Sequence, residues 1–520
     1  MKTKIRKLGL AVLGTALAIP AVSFGAEQLL NDSEWTDDGL KALRSAQLHR
    51  LDKRERANNV ILFVGDGMGI STITAARILD GQKKNQPGEE NKLSYENFPN
   101  LALVKTYSVN QQTPDSAPTM TAIITGVKTK DGILSVDENV VRKDHTTVKG
   151  NELTTLLELA EDHGLKTGIV STARITHATP GATYAHTPER DWESDKELSA
   201  AAKAADFPDI ARQLIEFKRG DGIDVVFGGG REYFLPATKQ DPEDTSATGR
   251  RTDGRDLTAE WTTKYPGSQF VWNQAQFDKL DGDNGQHVLG LFERSHLEYE
   301  ADRAKDTAGE PSIAQLTTKA IEILSRNNDK GFFLMVEGGR IDHAHHAGNA
   351  ARALEDAVAL ADAVKAADQL TDERDTTILV TADHSHVFTI GGYPARGNDI
   401  LGKVITLDAT GEIEDGFALA DDKKPYTTLA YANGPGAIKD GTPRPDLTNV
   451  DTTEVDYLQQ ALVPFASETH GGEDVALFAR GPSSQFVAGA QEQTISFYVM
   501  AHALGFDGQR RPFWSLANWL

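Results

Sequence analysis

FFLMVEGGRIDHAHH occupies residues 332–346. Its first five residues are an unbroken apolar run of the length a buried strand takes. The run meets an acid, Glu337, and two glycines, and residues 340–346 behind them have the spacing of a helix. On a helix Asp342 and His346, four residues apart, share one face. A strand that runs into a polar turn and then a helix is the repeating unit of an α/β fold. The cluster of three histidines and one aspartate has two readings at this point. It holds a metal with partners from elsewhere, or it is a solvated helix face, because two ligands do not make a site.

The same pattern recurs along the chain. VILFV (60–64) enters GDGMG, KTGIVST (166–172) enters ARITHATPG, IDVVF (223–227) enters GGG, TILVT (377–381) enters ADHSH, and VALFA (475–479) enters RGP. Between these runs, NELTTLLELAEDHG (151–164) and RALEDAVALADAVKAAD (352–368) have helical periodicity. Near-continuous apolar strands alternating with helices predict a mostly parallel sheet. Three of the strands end in an acid: Asp66, Glu337 and Asp383. Ligands of such sheets bind beyond the carboxyl ends of the strands. Three carboxylates converging there repel one another unless cations sit among them. Of the 14 histidines, seven fall in four short places: His177; His343, His345 and His346; His384 and His386; and His470. The others, among them His49, His145 and His502, look scattered. The stretch 236–310 reads as irregular and polar, and 385–467, rich in Gly, Asp and Pro, reads as an insertion.

The net charge of −22 argues against nucleic acid as a partner, since phosphate backbones need clustered Lys and Arg. It leaves room for a small phosphorylated substrate held by local cations. The acidity fits a salty medium or an ordinary exported protein equally. MKTKIRKLGLAVLGTALAIPAVSFGAEQ (1–28) has a basic start, an apolar run too short to span a bilayer, and small residues behind it. This is the form of a secretory signal peptide, expected over 1–25 and leaving 26–520 as the catalytic domain. No later segment is apolar enough to cross a membrane, so an exported, periplasmic or secreted protein is expected. Cysteine is absent, which rules out disulfides and thiolate ligands. Any metal site must use His, Asp, Glu and hydroxyls.

QQTPDSAPTMTAIITG (111–126) places Ser116 at the start of a plausible helix, with Pro118 in the first turn. Backbone N–H groups and the dipole attract anions there. A serine in this position is either a helix cap or a nucleophile awaiting activation by a base or metal. No G-x-S-x-G elbow surrounds it, and the arginine of a sulfatase C/S-x-P-x-R motif is missing.

Taken in order, DGMG, PDSA, ATP, VEGGRIDHAHH, TADHSH and ETHGGED resemble the motifs of alkaline phosphatases, from residue 60 to about 480. ETHGGEDV and the histidines at 177 and 343 are similar to the animal and marine-bacterial branch. The resemblance implies a three-layer sandwich with a central mostly parallel sheet, helices on both faces, and inserted loop regions. It implies two zinc ions and one magnesium. Asp342, His346 and His470 would bind the first zinc; Asp66, Asp383 and His384 the second, with Ser116 as nucleophile. Asp66, Thr179 and Glu337 would hold magnesium, with His177 beside it directly or through water. Arg190 would clamp the phosphate and His343 would line its pocket, while His345 would be a bystander. The activity implied is hydrolysis of small phosphate monoesters through a phosphoserine, by a homodimer. A two-zinc phosphodiesterase or sulfatase is the nearest competing enzyme. A non-catalytic exported phosphate- or metal-binding protein is the alternative from another class, and it would leave Asp115-Ser116 unexplained.

Overall fold

A computed structural model describes residues 56–280, 287–438 and 441–506. The expected signal peptide lies outside the described residues. The chain forms strands β1 (Asn59–Gly65), β2 (Asn100–Lys105), β3 (Lys166–Arg174), β4 (Val225–Gly229), β5 (Gln269–Val271), β6 (Val288–Leu291), β7 (Phe332–Gly338) and β8 (Thr376–Ala382). Five short strands come next: β9 (Ser385–His386), β10 (Phe388–Ile390), β11 (Leu429–Gly434), β12 (Ala461–Pro464) and β13 (His470–Gly471). The chain then returns as β14 (Val475–Arg480) and β15 (Gly489–Glu492).

One ten-stranded sheet has the order β15-β2-β14-β8-β1-β7-β3-β4-β6-β5. From β8 to β5 every pairing is parallel, and β14 alone runs against its neighbours. Val60 to Val64 at the centre are wholly buried, which is why that strand is apolar on both faces. Helices Ile70–Lys83, Ile313–Ser325 and Ala350–Leu370 pack together on one face of the sheet. Helices Ser116–Thr125, Leu156–Asp162 and Ile495–Leu504 pack together on the other, giving the expected α/β sandwich. The helix expected within 151–164 starts at a capping box, with Thr155 and Glu158 each satisfying the other's backbone N–H.

One expectation changes, and a second stretch gains detail. The polar stretch 236–310 supplies β5 and β6, which extend the sheet beyond β4. They are short, and β5 is only partly covered, so no long apolar run announces them. The stretch 385–467 contains a three-stranded sheet, β10-β11-β12. Its ends are tied by the β9–β13 ladder, which pairs His386 directly with His470.

Candidate active site

β8, β1 and β7 are neighbours, so their carboxyl ends bring Asp383, Asp66 and Glu337 together. All three are fully buried. Gly67 must be glycine here: its φ is +68°, and a Cβ would lie 2.3 Å from His386 Nε2. Its N–H donates to Asp383 Oδ1 at 3.0 Å.

Three groups of ligand-type atoms surround these acids. In the first, Asp342, His346, His386 and His470 place one atom each within 4.8 Å of one another. His346 Nδ1 donates to the Glu468 carbonyl at 2.5 Å, and His470 Nδ1 donates to the Pro114 carbonyl at 2.8 Å. Both protons are therefore on Nδ1 in the neutral rings, and two Nε2 lone pairs face each other at 3.0 Å. That arrangement is repulsive alone and fits a cation between them. Asp342 Oδ1 lies 3.3 Å from His346 Nε2 and 3.4 Å from His470 Nε2. His386 differs from the other two histidines. Its nitrogens meet carboxylates on both sides, Asp342 at 2.8 Å and Glu468 at 2.5 Å. Burial opposes its charge, but these two acids outweigh burial and raise its pKa to about 9. It is a cationic tie that holds Asp342 rather than a free ligand. Burial alone would raise Asp342; the surrounding His346, His386 and His470 keep it well below the usual carboxylate range.

The second group is Asp66, Asp383 and His384. His384 Nδ1 points at the Ser385 carbonyl, leaving Nε2 at 3.3 Å from both Asp66 Oδ1 and Asp383 Oδ2. Ser116 Oγ is 3.1 Å from the same nitrogen and 3.3 Å from Asp66 Oδ1. The helix cap is Asp115, which accepts from Ala117 N, and Ser116 is the first residue of the helix. The serine hydroxyl is thus free of capping duty and is aimed at the acids. Thr119, one turn on, donates to Asp383 Oδ2 at 3.1 Å, and Gln493 donates to the Asp383 carbonyl at 2.6 Å.

Asp66, His177 and Glu337 form the third group. Asp66 Oδ2, Glu337 Oε1, Thr179 Oγ1 and His177 Nδ1 are all buried without a hydrogen-bond partner. Buried orphans of this kind ask for an unseen ligand, and an oxygen-rich set suits a hard cation. Burial and the Asp383 and Asp342 carboxylates push Glu337 up to about 7, even though Ser171 donates to it. Asp66 is also raised well above the usual carboxylate range, by burial and then by Asp383, Asp342 and Glu337.

Arg190 stands between the serine and the histidines, donating to Asp115 Oδ2 at 2.8 Å and to His177 Nε2 at 3.2 Å. His343 accepts from Arg340 at 3.3 Å, and burial pushes it down to about 3. Every site residue expected from the sequence therefore falls in one connected region. His345, expected as a bystander, is buried, with its nitrogens bonded to Thr72 at 2.9 Å and to Tyr431 at 2.8 Å. Sequence reasoning gave no role to His386, Glu468, Thr119, Gln493 or His296. The short spacings in ADHSH and ETHGGED signalled the first two; Thr119, Gln493 and His296 gave no local signal.

A sheet whose strand ends gather acids and histidines around a serine is the arrangement of an α/β hydrolase with room for metal ions. The alkaline phosphatase family model matches residues 57–506, and the chain belongs to that family. It is 46% identical over 476 residues to the human tissue-nonspecific isozyme of alkaline phosphatase, covering 90% of this chain and 88% of that one. Identity to the alkaline phosphatase of Gadus morhua is 44% over 474 residues, covering 90% and 96%. The fold is shared with the solved structure of Thermus thermophilus alkaline phosphatase, with a TM-score of 0.61 at 22% identity over 88% of this chain and 94% of that one.

Proposed function

We propose that the chain transfers the phosphoryl group of a monoester to Ser116 and then to water. The observation that carries this reading is the uncapped Ser116 hydroxyl, set 3.1 Å from His384 Nε2 and 3.3 Å from Asp66. The Ser116 Oγ–P bond forms as the ester O–P bond breaks, and the leaving alkoxide takes a proton from solvent. Water then displaces the serine, releasing phosphate and restoring the hydroxyl. The Ser116 hydroxyl would lose its proton to solvent as Oγ attacks, with Asp66, Asp383 and His384 orienting Oγ. Arg190, fixed by Asp115, would grip two phosphoryl oxygens, and His343 would line the same pocket.

Asp342, His346 and His470 would hold one zinc, Asp66, Asp383 and His384 a second, and Asp66, Thr179 and Glu337 a magnesium beside His177. The tautomers fixed by Glu468, Pro114 and Ser385 support the nitrogen-rich sets, and the orphaned oxygens support the third. Bound there, the ions would supply Lewis acidity that lowers the pKa of the serine and of water.

Hydrolysis of p-nitrophenyl phosphate at alkaline pH, before and after a chelator, tests the reading. Loss of the activity, and its return only with zinc and magnesium together, is the expected result. A chelator-resistant activity contradicts it. Export of a 26–520 catalytic domain with a 385–467 insertion, and pairing with a second copy, belong to the same reading. Among the described residues no helix is long and apolar enough to cross a membrane. N-terminal sequencing and a solution mass of the exported protein check both points.

A further inference from the structure

Beyond Arg190 the wall of the site continues as three imidazoles. The ring centroids of His177 and His343 are 5.5 Å apart, and His296 lies 5.4 Å from the first and 4.1 Å from the second. Each ring faces a guanidinium: Arg190 Nη2 at 3.2 Å from His177, Arg340 Nη1 at 3.3 Å from His343, and Arg174 Nη1 at 2.5 Å from His296. All six residues keep some exposure to solvent, so they line an opening rather than a core.

Hydrogen-bond donors exceed acceptors in this group. A neutral imidazole offers one lone pair. His296 nonetheless meets two donors from Arg174, its backbone N–H at 3.2 Å from Nδ1 and its guanidinium at Nε2. Arg340 stacks on Tyr299 at 3.6 Å and has no carboxylate within 4.0 Å among the described residues. The acids that are present are spent, Glu193 on Arg174 and Asp115 on Arg190. A surplus of fixed donors with the uncompensated guanidinium of Arg340, whose Nε is buried without a partner, is the chemistry of an anion site, on a chain whose net charge of −22 otherwise repels anions.

The His296 loop is also anchored. Gly230 N donates to the Ser295 carbonyl at 2.6 Å, and Leu297 N donates to the Thr172 carbonyl at 3.0 Å. These bonds tie the loop to the carboxyl ends of β4 and β3.

We propose that Arg174 and His296, with Arg340, form a second anion subsite at the mouth. It would take a carboxylate or phosphate carried by the leaving group, a few bonds from the ester. The preferred substrates are then monoesters with a second negative group. The proposal rests on the phosphomonoesterase reading above, in which Arg190 and His343 serve the transferred phosphoryl.

Phosphoglycolate and ethyl phosphate, which differ by a carboxylate in place of a methyl, make the comparison. With the zinc- and magnesium-loaded enzyme, kcat/KM for phosphoglycolate should exceed that for ethyl phosphate at least about tenfold. The preference should shrink as salt rises toward about 0.5 M, because a half-exposed ion pair is screened. His296→Glu puts a carboxylate beside the ligand's own and should bring the ratio to one or below. His296→Gln, which keeps a polar side chain of similar size, should keep most of the preference. Calorimetry of both esters on the Ser116→Ala protein should give the same order in Kd without turnover. A ratio near one in wild type, or a ratio unmoved by His296→Glu, overturns the subsite. Hydrolysis of ethyl phosphate without any preference overturns the subsite and leaves the phosphatase reading standing. If neither ester is hydrolysed, the phosphatase reading fails, and the calorimetric ratio alone decides the subsite.

Discussion

The two flanks of the serine are built from different chemistry. On one side Asp342 sits among His346, His386 and His470, and every ring Nδ1 there has a defined partner. On the other side Asp66, Glu337 and Thr179 offer oxygens, several of them buried with no partner at all. In the first flank the aspartate is held low and His386 cationic, and only the facing Nε2 lone pairs of His346 and His470 ask for a cation. The second is unsettled, with its carboxyls pushed up by burial and by each other. Nitrogen ligands with fixed tautomers suit zinc, and unpaired oxygens suit a harder ion such as magnesium. In the proposed reading the contrast would let one site sort two metals without cysteine.

Substitutions can break or sharpen that contrast. Asp66 is shared by the Glu337 group and by the Asp383–His384 group beside the serine, so Asp66→Asn should do the most damage. Activity should fall on the order of 10³-fold, with zinc and magnesium both lost on elemental analysis. His386→Ala should act on the histidine flank alone. It strands the Asp342 and Glu468 carboxylates, and zinc affinity should fall roughly 10–100-fold while magnesium binding persists. Glu337→Gln should do the reverse, weakening magnesium by roughly tenfold at unchanged zinc content. Loss of the same metal in both variants would erase the distinction between the flanks.

The smallest effect is on stability in the absence of metal. Glu337 is raised from 4.5 to about 7 by burial and neighbouring acids, so the folded, chelated protein holds a proton that the unfolded chain releases. The stability linked to this group is full below about pH 4.5 and is lost as pH rises through about 7. Chemical denaturation in chelator should show a decline on the order of 3 kcal/mol across that window. Glu337→Gln should flatten it, and zinc with magnesium should abolish it.

The strand-end acids were legible because a parallel sheet writes each strand as one apolar run and turns at its carboxyl end. VILFV, FFLMV and TILVT needed only local pattern, and they are three neighbouring strands. Asp342 and His346 were legible because helical spacing is local too. Strand direction was not: VALFA reads like the others, yet β14 is antiparallel. β2 alternates buried and exposed residues, and β15 is an edge strand of mostly exposed and half-buried positions, so neither has the run that marks a central strand. His386 was visible as a histidine, but its role as a tie depends on Glu468, 82 residues away. His296 and Gln493 come from distant loops, and only the folded chain puts them against His343 and Asp383.

In the proposed reaction both flanks would serve one event, the phosphorylation of Ser116. Labelled inorganic phosphate incubated with the metal-loaded enzyme at mildly acidic pH, then quenched and mapped by peptide, tests that event directly. Label on the peptide carrying Ser116, absent in Ser116→Ala with both metals still bound, is the predicted result. An active enzyme that carries its label on another residue, or a labelled Ser116→Ala protein, would contradict it.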